Sequence, residues 1–295
     1  VTDAAEALGR SRTVDSALVA ASAVLSSAGV PTPDVDAELL LAHVLGLGRG
    51  VVRARAVTRS AVTASDASAF GEAVRRRAAR EPLQHITGTA AFRSMHLHVG
   101  PGVFVPRPET EGVAQLAIDA LRAAPGERPV AVDLGTGSGA IALAMATEVP
   151  VASVVAVELS PHAAVWTRRN IAAVGAGNVW LVEGGLAGAL PELDGTVSVV
   201  ASNPPYIPVG MVPRDPEVRL HDPELALYGG ADGLDVVRDL SVTALRLLHP
   251  DGVLVVEHGE EQGGAIRDLL DADGWRSTVT HPDLAGRDRA TTAVR

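Results

Sequence analysis

The stretch Val130-Ala131-Val132-Asp133-Leu134-Gly135-Thr136-Gly137-Ser138-Gly139-Ala140-Ile141-Ala142-Leu143 decides the fold. Its first five residues form a short apolar run that suits a strand buried on both faces. Three glycines follow, and the apolar residues after them open a helix. Such a turn lets the backbone take positive φ and pass close to a ligand, while the helix N-terminus presents free N–H groups to the same space. This is a cradle for a nucleotide-like ligand. It fits the G-x-G-x-x-A dinucleotide pattern, so by itself the turn leaves both NAD and S-adenosylmethionine open. Glu158 closes the next strand, where a carboxylate accepts hydrogens from both ribose hydroxyls.

Downstream of the turn, apolar strands and helical segments alternate. Strands are expected at Val130–Leu134, Ser153–Glu158, Asn178–Val182, Thr196–Ser202, Gly252–His258, Trp275–Thr280 and Ala290–Val294. That alternation predicts an α/β fold built on a mainly parallel sheet with helices on both faces. Upstream of it, Pro82–Pro108 reads as short β-like pieces (Gln84–Thr87, Ala91–Val99, Val103–Val105) broken by glycines and prolines, a hairpin linker that leads to a helix over Thr110–Arg122. Still earlier, apolar residues at helical spacing predict helices over Thr13–Gly29, Asp34–Gly46 and Thr63–Arg80. The expected organisation is therefore a helical domain over 1–81, a linker over 82–108 and the α/β domain over 109–295. Arg75, Arg76 and Arg77 read as a solvated face near a helix C-terminus. His96 and His98 fall on one face of the hairpin.

Composition removes several chemistries. The 295 residues are 47% hydrophobic and 20% charged, enough for a sizeable core. There is no cysteine, which excludes disulfides, thiolate metal sites and a cysteine nucleophile. All 25 basic residues are arginine, so neither a Schiff-base lysine nor a Walker A lysine exists. A net charge of −10 opposes binding to phosphate backbones, and residues 1–90, with ten arginines against nine acids, form no basic module. No stable nucleic-acid binding is expected. The longest uncharged runs, Ser16–Pro33 and Gly195–Pro213, are broken by proline and glycine and do not suit a membrane span. Val1–Arg12 carries Asp3 and Glu6 and no apolar leader core, so a cytoplasmic protein is expected, and a monomer. Glu257, His258, Glu260 and Glu261 look like a metal cluster, but alternation at a strand end scatters them, and no metal site is expected.

Ala201-Ser202-Asn203-Pro204-Pro205-Tyr206 separates the candidate ligands. It directly follows a central strand, at the carboxyl edge where open α/β sheets bind their ligands. Two consecutive prolines stiffen the loop and donate no hydrogen bonds. Asn203 Oδ1 and a neighbouring carbonyl can each accept one N–H bond from a planar amide or amine, with the Tyr206 ring packing nearby. Such a loop poses a nitrogen.

Asn203-Pro204-Pro205-Tyr206 together with Asp133–Gly139 resembles the class I S-adenosylmethionine-dependent methyltransferases that act on amino or amide nitrogens. Pro82–Gly88, Val105–Glu111, Glu257-His258-Gly259 and Asp283–Arg289 narrow the resemblance to the PrmC/HemK family, the N5-glutamine methyltransferases of peptide chain release factors. It runs from about Pro82 to the end of the chain, and the helical N-terminal domain fits in position and size. The resemblance implies a Rossmann-like sheet and S-adenosylmethionine as methyl donor. It also implies class I release factors as partners, docked with help from the helical domain and hairpin, and methylation of the glutamine in their Gly-Gly-Gln motif. Gly135, Thr136, Gly137, Ser138, Gly139, Glu158, Leu186 and Asn203 would then hold the cofactor, and Asn203, Pro204, Pro205 and Tyr206 the glutamine. Where the family carries an acid and often an aromatic near the adenine, this chain has Gly185 and Leu186, which leaves Leu186 or Glu183 to meet the base. Arg107 and Glu109 read either as lining of the cofactor entrance or as a structural ion pair. The alternatives are a DNA adenine N6-methyltransferase, a catalytically silent cofactor-binding module of the translation machinery, and an NAD-dependent oxidoreductase.

Overall fold

The structure, a computed structural model, describes residues 11–295. The first ten positions of Val1–Arg12, read above as lacking a leader, lie outside the described residues. The chain forms two compact units, one comprising the chain through Gly88 together with Pro213–His221, the other Thr89–Val212 together with Asp222–Arg295.

In the first unit, helices α1 (Val14–Ser27), α2 (Pro33–Leu45), α3 (Arg49–Val57), α4 (Ala64–Ala78) and α5 (Leu83–Thr87) enclose a core built on Leu25, Leu40, Leu41, Phe70 and Val74. Thr13 and Ser16 make a capping box at the start of α1, and Gly46 ends α2 in the left-handed conformation. Helix α3 escapes sequence reading because it buries only Val52 and so shows no apolar stripe. Gln84–Thr87, expected to be β-like, is helical instead. Pro82 and Gly88 bracket one turn there, and that outweighs the strand preference of Ile86 and Thr87.

Arg77 corrects the expectation of a solvated arginine face. It is buried, with Nε on Asp36 at 2.7 Å and Nη1 on Glu217 at 2.6 Å. Arg80 also holds Glu217, from Nε at 2.8 Å and Nη2 at 2.5 Å. Glu217 lies on the short helix Pro216–His221, so a piece of chain far along the sequence completes this unit. Burial pushes its carboxyl up, but the hydrogen bonds from Arg80 and Arg77 outweigh that and hold it far below the usual carboxylate range.

The second unit opens with the hairpin β1 (Thr89–Phe92) and β2 (Met95–His98), in which His96 is exposed. Val103–Val105 is not a strand. Its valines are apolar because they pack against Ala90, Val99 and Ala163. After α6 (Thr110–Ala123) come β3 (Val130–Leu134), α7 (Ala140–Glu148), β4 (Ser153–Glu158), α8 (Pro161–Val174), β5 (Val179–Glu183), β6 (Val197–Ser202), α9 (Asp235–Leu247), β7 (Leu248–Glu257), α10 (Gly263–Ala272), β8 (Arg276–Pro282) and β9 (Asp288–Val294). The strands form one sheet in the order β5-β4-β3-β6-β7-β9-β8. From β5 to β7 neighbours are parallel, and β9 runs antiparallel to both β7 and β8. Alternate strand residues supply the two faces. Ala131 joins the layer holding Ile118, Leu121, Leu143 and Met145, while Val132 joins Leu240, Leu247, Ile266 and Leu270. Seven strands in this order, the central ones buried on both faces, give the class I methyltransferase architecture that the sequence led us to expect. Strand order reverses between β3 and β6, so the loops leaving their carboxyl ends diverge and open a crevice. Among the described residues, no helix is long and apolar enough to cross a membrane.

Candidate active site

The glycine turn leaves β3 and the Asn203 loop leaves β6, and these strands are hydrogen-bonded neighbours. Ser202, fully buried, donates its Oγ to the Leu134 carbonyl at 2.6 Å and so ties the two strand ends together.

The turn itself is fixed from below. Gly135 and Thr136 donate their N–H groups to the Val157 carbonyl, and the Gly137 and Ser138 carbonyls accept hydrogens from Thr167 Oγ1 at 2.7 Å and Asn170 Nδ2 at 2.9 Å. Asn170 also bonds the His98 backbone in both directions, so one buried side chain joins the turn to the hairpin. Sequence reading missed Thr167 and Asn170, whose signal is two polar residues three apart on the buried side of a helix. Gly137 sits at φ 59, and nothing lies within 4 Å of the place where a side chain would start. The cradle is thus open on the side where a ligand would lie, and a methyl group there would take up the ligand's room.

Two carboxyls stand at its base. Glu158 accepts from Gly137 N through Oε2 and from Ser160 N through Oε1, both at 2.7 Å. Each oxygen keeps a further lone pair for a ribose hydroxyl. Asp133 Oδ2 accepts from Thr136 Oγ1 at 2.6 Å and from Ala142 N at 3.0 Å, while buried Oδ1 has no partner among the described residues. Burial pushes this carboxyl up to about 7, against the lowering effect of those two donors. An open glycine cradle with one pinned and one orphaned carboxyl fits a nucleoside-bearing cation.

Leu186 is half-buried against the Val132 side of the core. Exposed Leu159 lies 3.9 Å from where a side chain at Gly185 would begin, and sequence reading did not single it out. Glu183 is engaged on the surface by Arg168. Arg107 and Glu109 are both in ion pairs, Arg107 with buried Asp222 at 2.7 Å and Glu109 with Arg287 at 3.4 Å.

In the Asn203 loop Pro204 is buried, and Asn203, Pro205 and Tyr206 are half-buried. The loop's course is set by main chain. Ile207 N donates to Leu227 O at 2.8 Å, and Gly229 N donates to Ile207 O at 2.9 Å. A Cβ at Gly229 would stand 2.4 Å from the Pro205 carbonyl oxygen, so only glycine admits this approach. Gln262 Nε2 holds the Tyr206 carbonyl at 3.0 Å, and burial, then the nearby Glu257 charge, raise the Tyr206 hydroxyl to about 12. Asn203 Nδ2 donates to Thr110 Oγ1 at 3.4 Å. Glu257 and His258 point apart, as strand alternation requires. Glu257 lies by Asn203, and His258 bonds the Gly259 carbonyl and Thr291.

Residues 16–88 match the PrmC N-terminal domain family, and residues 94–211 match the methyltransferase small domain family. A release factor glutamine methyltransferase of Streptomyces coelicolor is 52% identical over 274 residues, 91% of this chain and 93% of the relative. One of Bifidobacterium longum is 46% identical over 93% of this chain and 97% of the relative. A 4-amino-L-phenylalanine/4-methylamino-L-phenylalanine methyltransferase of Streptomyces pristinaespiralis is 40% identical over 96% of this chain and 95% of the relative. With both of its units matched and relatives alike over nine-tenths of its length, the chain belongs to the release factor glutamine methyltransferase family.

Proposed function

We propose that this protein transfers a methyl group from S-adenosylmethionine to the side-chain amide nitrogen, N5, of the glutamine in the Gly-Gly-Gln motif of class I release factors. The observation that carries this reading is the placement of Asn203 and its two prolines beside the open glycine cradle, in a chain whose relatives are named for that reaction. When bound, S-adenosylmethionine supplies an electrophilic methyl group on a sulfonium. Gly135, Thr136, Gly137, Ser138 and Gly139 line its cradle, Glu158 takes the ribose hydroxyls on its remaining lone pairs, and Leu186 with Leu159 gives the base an apolar wall.

An amide nitrogen is a poor nucleophile because its lone pair is delocalised into the carbonyl. Asn203 Oδ1 and the Pro204 carbonyl accept its two N–H bonds, which concentrates electron density on nitrogen and fixes its direction of attack. Tyr206 stays a neutral phenol over the working pH range, since its hydroxyl is raised to about 12, and it closes the pocket as a ring. After methyl transfer the cationic nitrogen is strongly acidic and gives up one of its two protons to water, so no strong base is needed before attack.

The test is peptide-resolved mass spectrometry of an unmethylated class I release factor incubated with the protein and S-adenosylmethionine. One added methyl on the Gly-Gly-Gln glutamine is expected, and Asn203→Ala should lower its rate by about a hundredfold or more in protein saturated with cofactor. Methylation of 4-amino-L-phenylalanine or of DNA adenine in place of the release factor would overturn the substrate assignment.

A further inference from the structure

Glu257 is a deeply buried carboxyl beside the acceptor loop, and the mechanism above does not use it. It closes β7 at 2% exposure. Val256 pairs with Ser202, so Asn203 follows directly alongside Glu257. Thr110 and Asn203 are the polar side chains that favour its charged form, and Oε2 has no partner among the described residues. Asn203 Nδ2 also donates to Thr110 Oγ1, which leaves the threonine proton free to point at Glu257.

An asparagine side chain has a donor end and an acceptor end of nearly the same shape, so its neighbours decide which end faces where. An ionised carboxylate only accepts. It draws Nδ2 toward the sheet and turns Oδ1 away from it. We propose that Glu257 is a positioning residue for the methyl acceptor, locking the Asn203 amide with Nδ2 inward, on Glu257 and Thr110, and Oδ1 outward to receive the substrate N–H. The lock is argued from the strand register, the burial of Glu257 and the Asn203–Thr110 bond, and its catalytic consequence rests on the function proposed above.

The lock has a pH sense. Burial pushes the Glu257 carboxyl up to about 7, against hydrogen bonds from Thr110 and Asn203 and the positive charge of Arg289 on β9. Glu109, ahead of α6, adds to the rise. The Tyr206 phenol facing it stays neutral, and burial lowers the pKa of His258, next along the strand. Below that pH Glu257 gains an O–H donor, Asn203 Oδ1 becomes its better partner, and the lock reverses. Activity should therefore fall as pH drops through about 7.

The chain has only three asparagines, Asn170, Asn178 and Asn203, so protein labelled with 15N-asparagine shows three side-chain amides by NMR. Asn170 and Asn178, whose Nδ2 groups are held by backbone carbonyls, report whether each variant is folded. In wild type the Asn203 amide signals should move with a midpoint near 7. In Glu257→Gln the movement should vanish, and in Glu257→Asp, which keeps the charge, it should return. Glu257→Gln should also lower kcat by about tenfold or more and lose the acid limb, with KM for the release factor and cofactor affinity within about twofold of wild type. Asn203 signals that stay still in wild type, or that titrate alike in Glu257→Gln, overturn the inference. A wild-type protein that leaves the release factor unmethylated overturns the proposed function and leaves the amide readout untouched, so the two failures are distinguishable.

Discussion

Gly137 holds a left-handed turn, donates its N–H to Glu158, and leaves open the space where a side chain would stand. Alanine there keeps the donor but costs about 1 kcal/mol of backbone strain and puts a methyl group in the ligand's room. Cofactor affinity, measured by calorimetry, should drop by about tenfold or more. Gly46→Ala is the control. Its φ of 62 and open surroundings impose the same strain in the other unit, so it should lower the melting temperature and leave affinity unchanged. At this scale the sequence marks positions where chemistry forces identity, and the structure places the glycines and Glu158 in one hydrogen-bonded turn. It was silent on Asn170, because which buried polar atom meets which partner depends on chain distant in sequence. Arg77 was misread for the same reason, since its partners Asp36 and Glu217 lie 41 and 140 residues away.

The strands of the second unit were readable because a sheet covered on both faces needs uninterrupted apolar runs, and β3, β4 and β6 have them. Elements that bury little or irregularly escaped: α3, with one buried residue, and the 103–105 segment, apolar without being a strand. The brace behind the Asn203 loop escaped too. Its signal, Gly229-Gly230 followed by Gly233, is that of any turn, and only the close approach to Pro205 and Tyr206 gives Gly229 and Gly233 a purpose. Gly229→Ala would drive a Cβ against the Pro205 and Gly233 carbonyls, backbone atoms that cannot swing aside. The acceptor loop should shift, lowering kcat by about a hundredfold with cofactor affinity near wild type, as steady-state kinetics with calorimetry would show.

Across the whole molecule, the first unit depends on a carboxylate contributed from beyond the acceptor loop. Glu217 has its pKa depressed in the folded protein, so its contribution to stability is present in full above the unfolded carboxylate value of about 4.3 and is lost as pH falls below that. Glu217→Gln should destabilise the unit by about 3 kcal/mol at neutral pH, because it leaves Arg77 and Arg80 short of an anion, and should flatten the acid side of the melting curve. Thermal denaturation between about pH 3 and 7 reads both effects. The discontinuity of this unit also governs the order in which the protein takes shape on the ribosome. Synthesis runs from the N-terminus, so the helices through Gly88 emerge long before Pro213–His221, and until that segment arrives Arg77 has Asp36 but not Glu217. The nascent helical unit must wait, incompletely neutralised, while most of the catalytic sheet is made, and only then close around its missing acid.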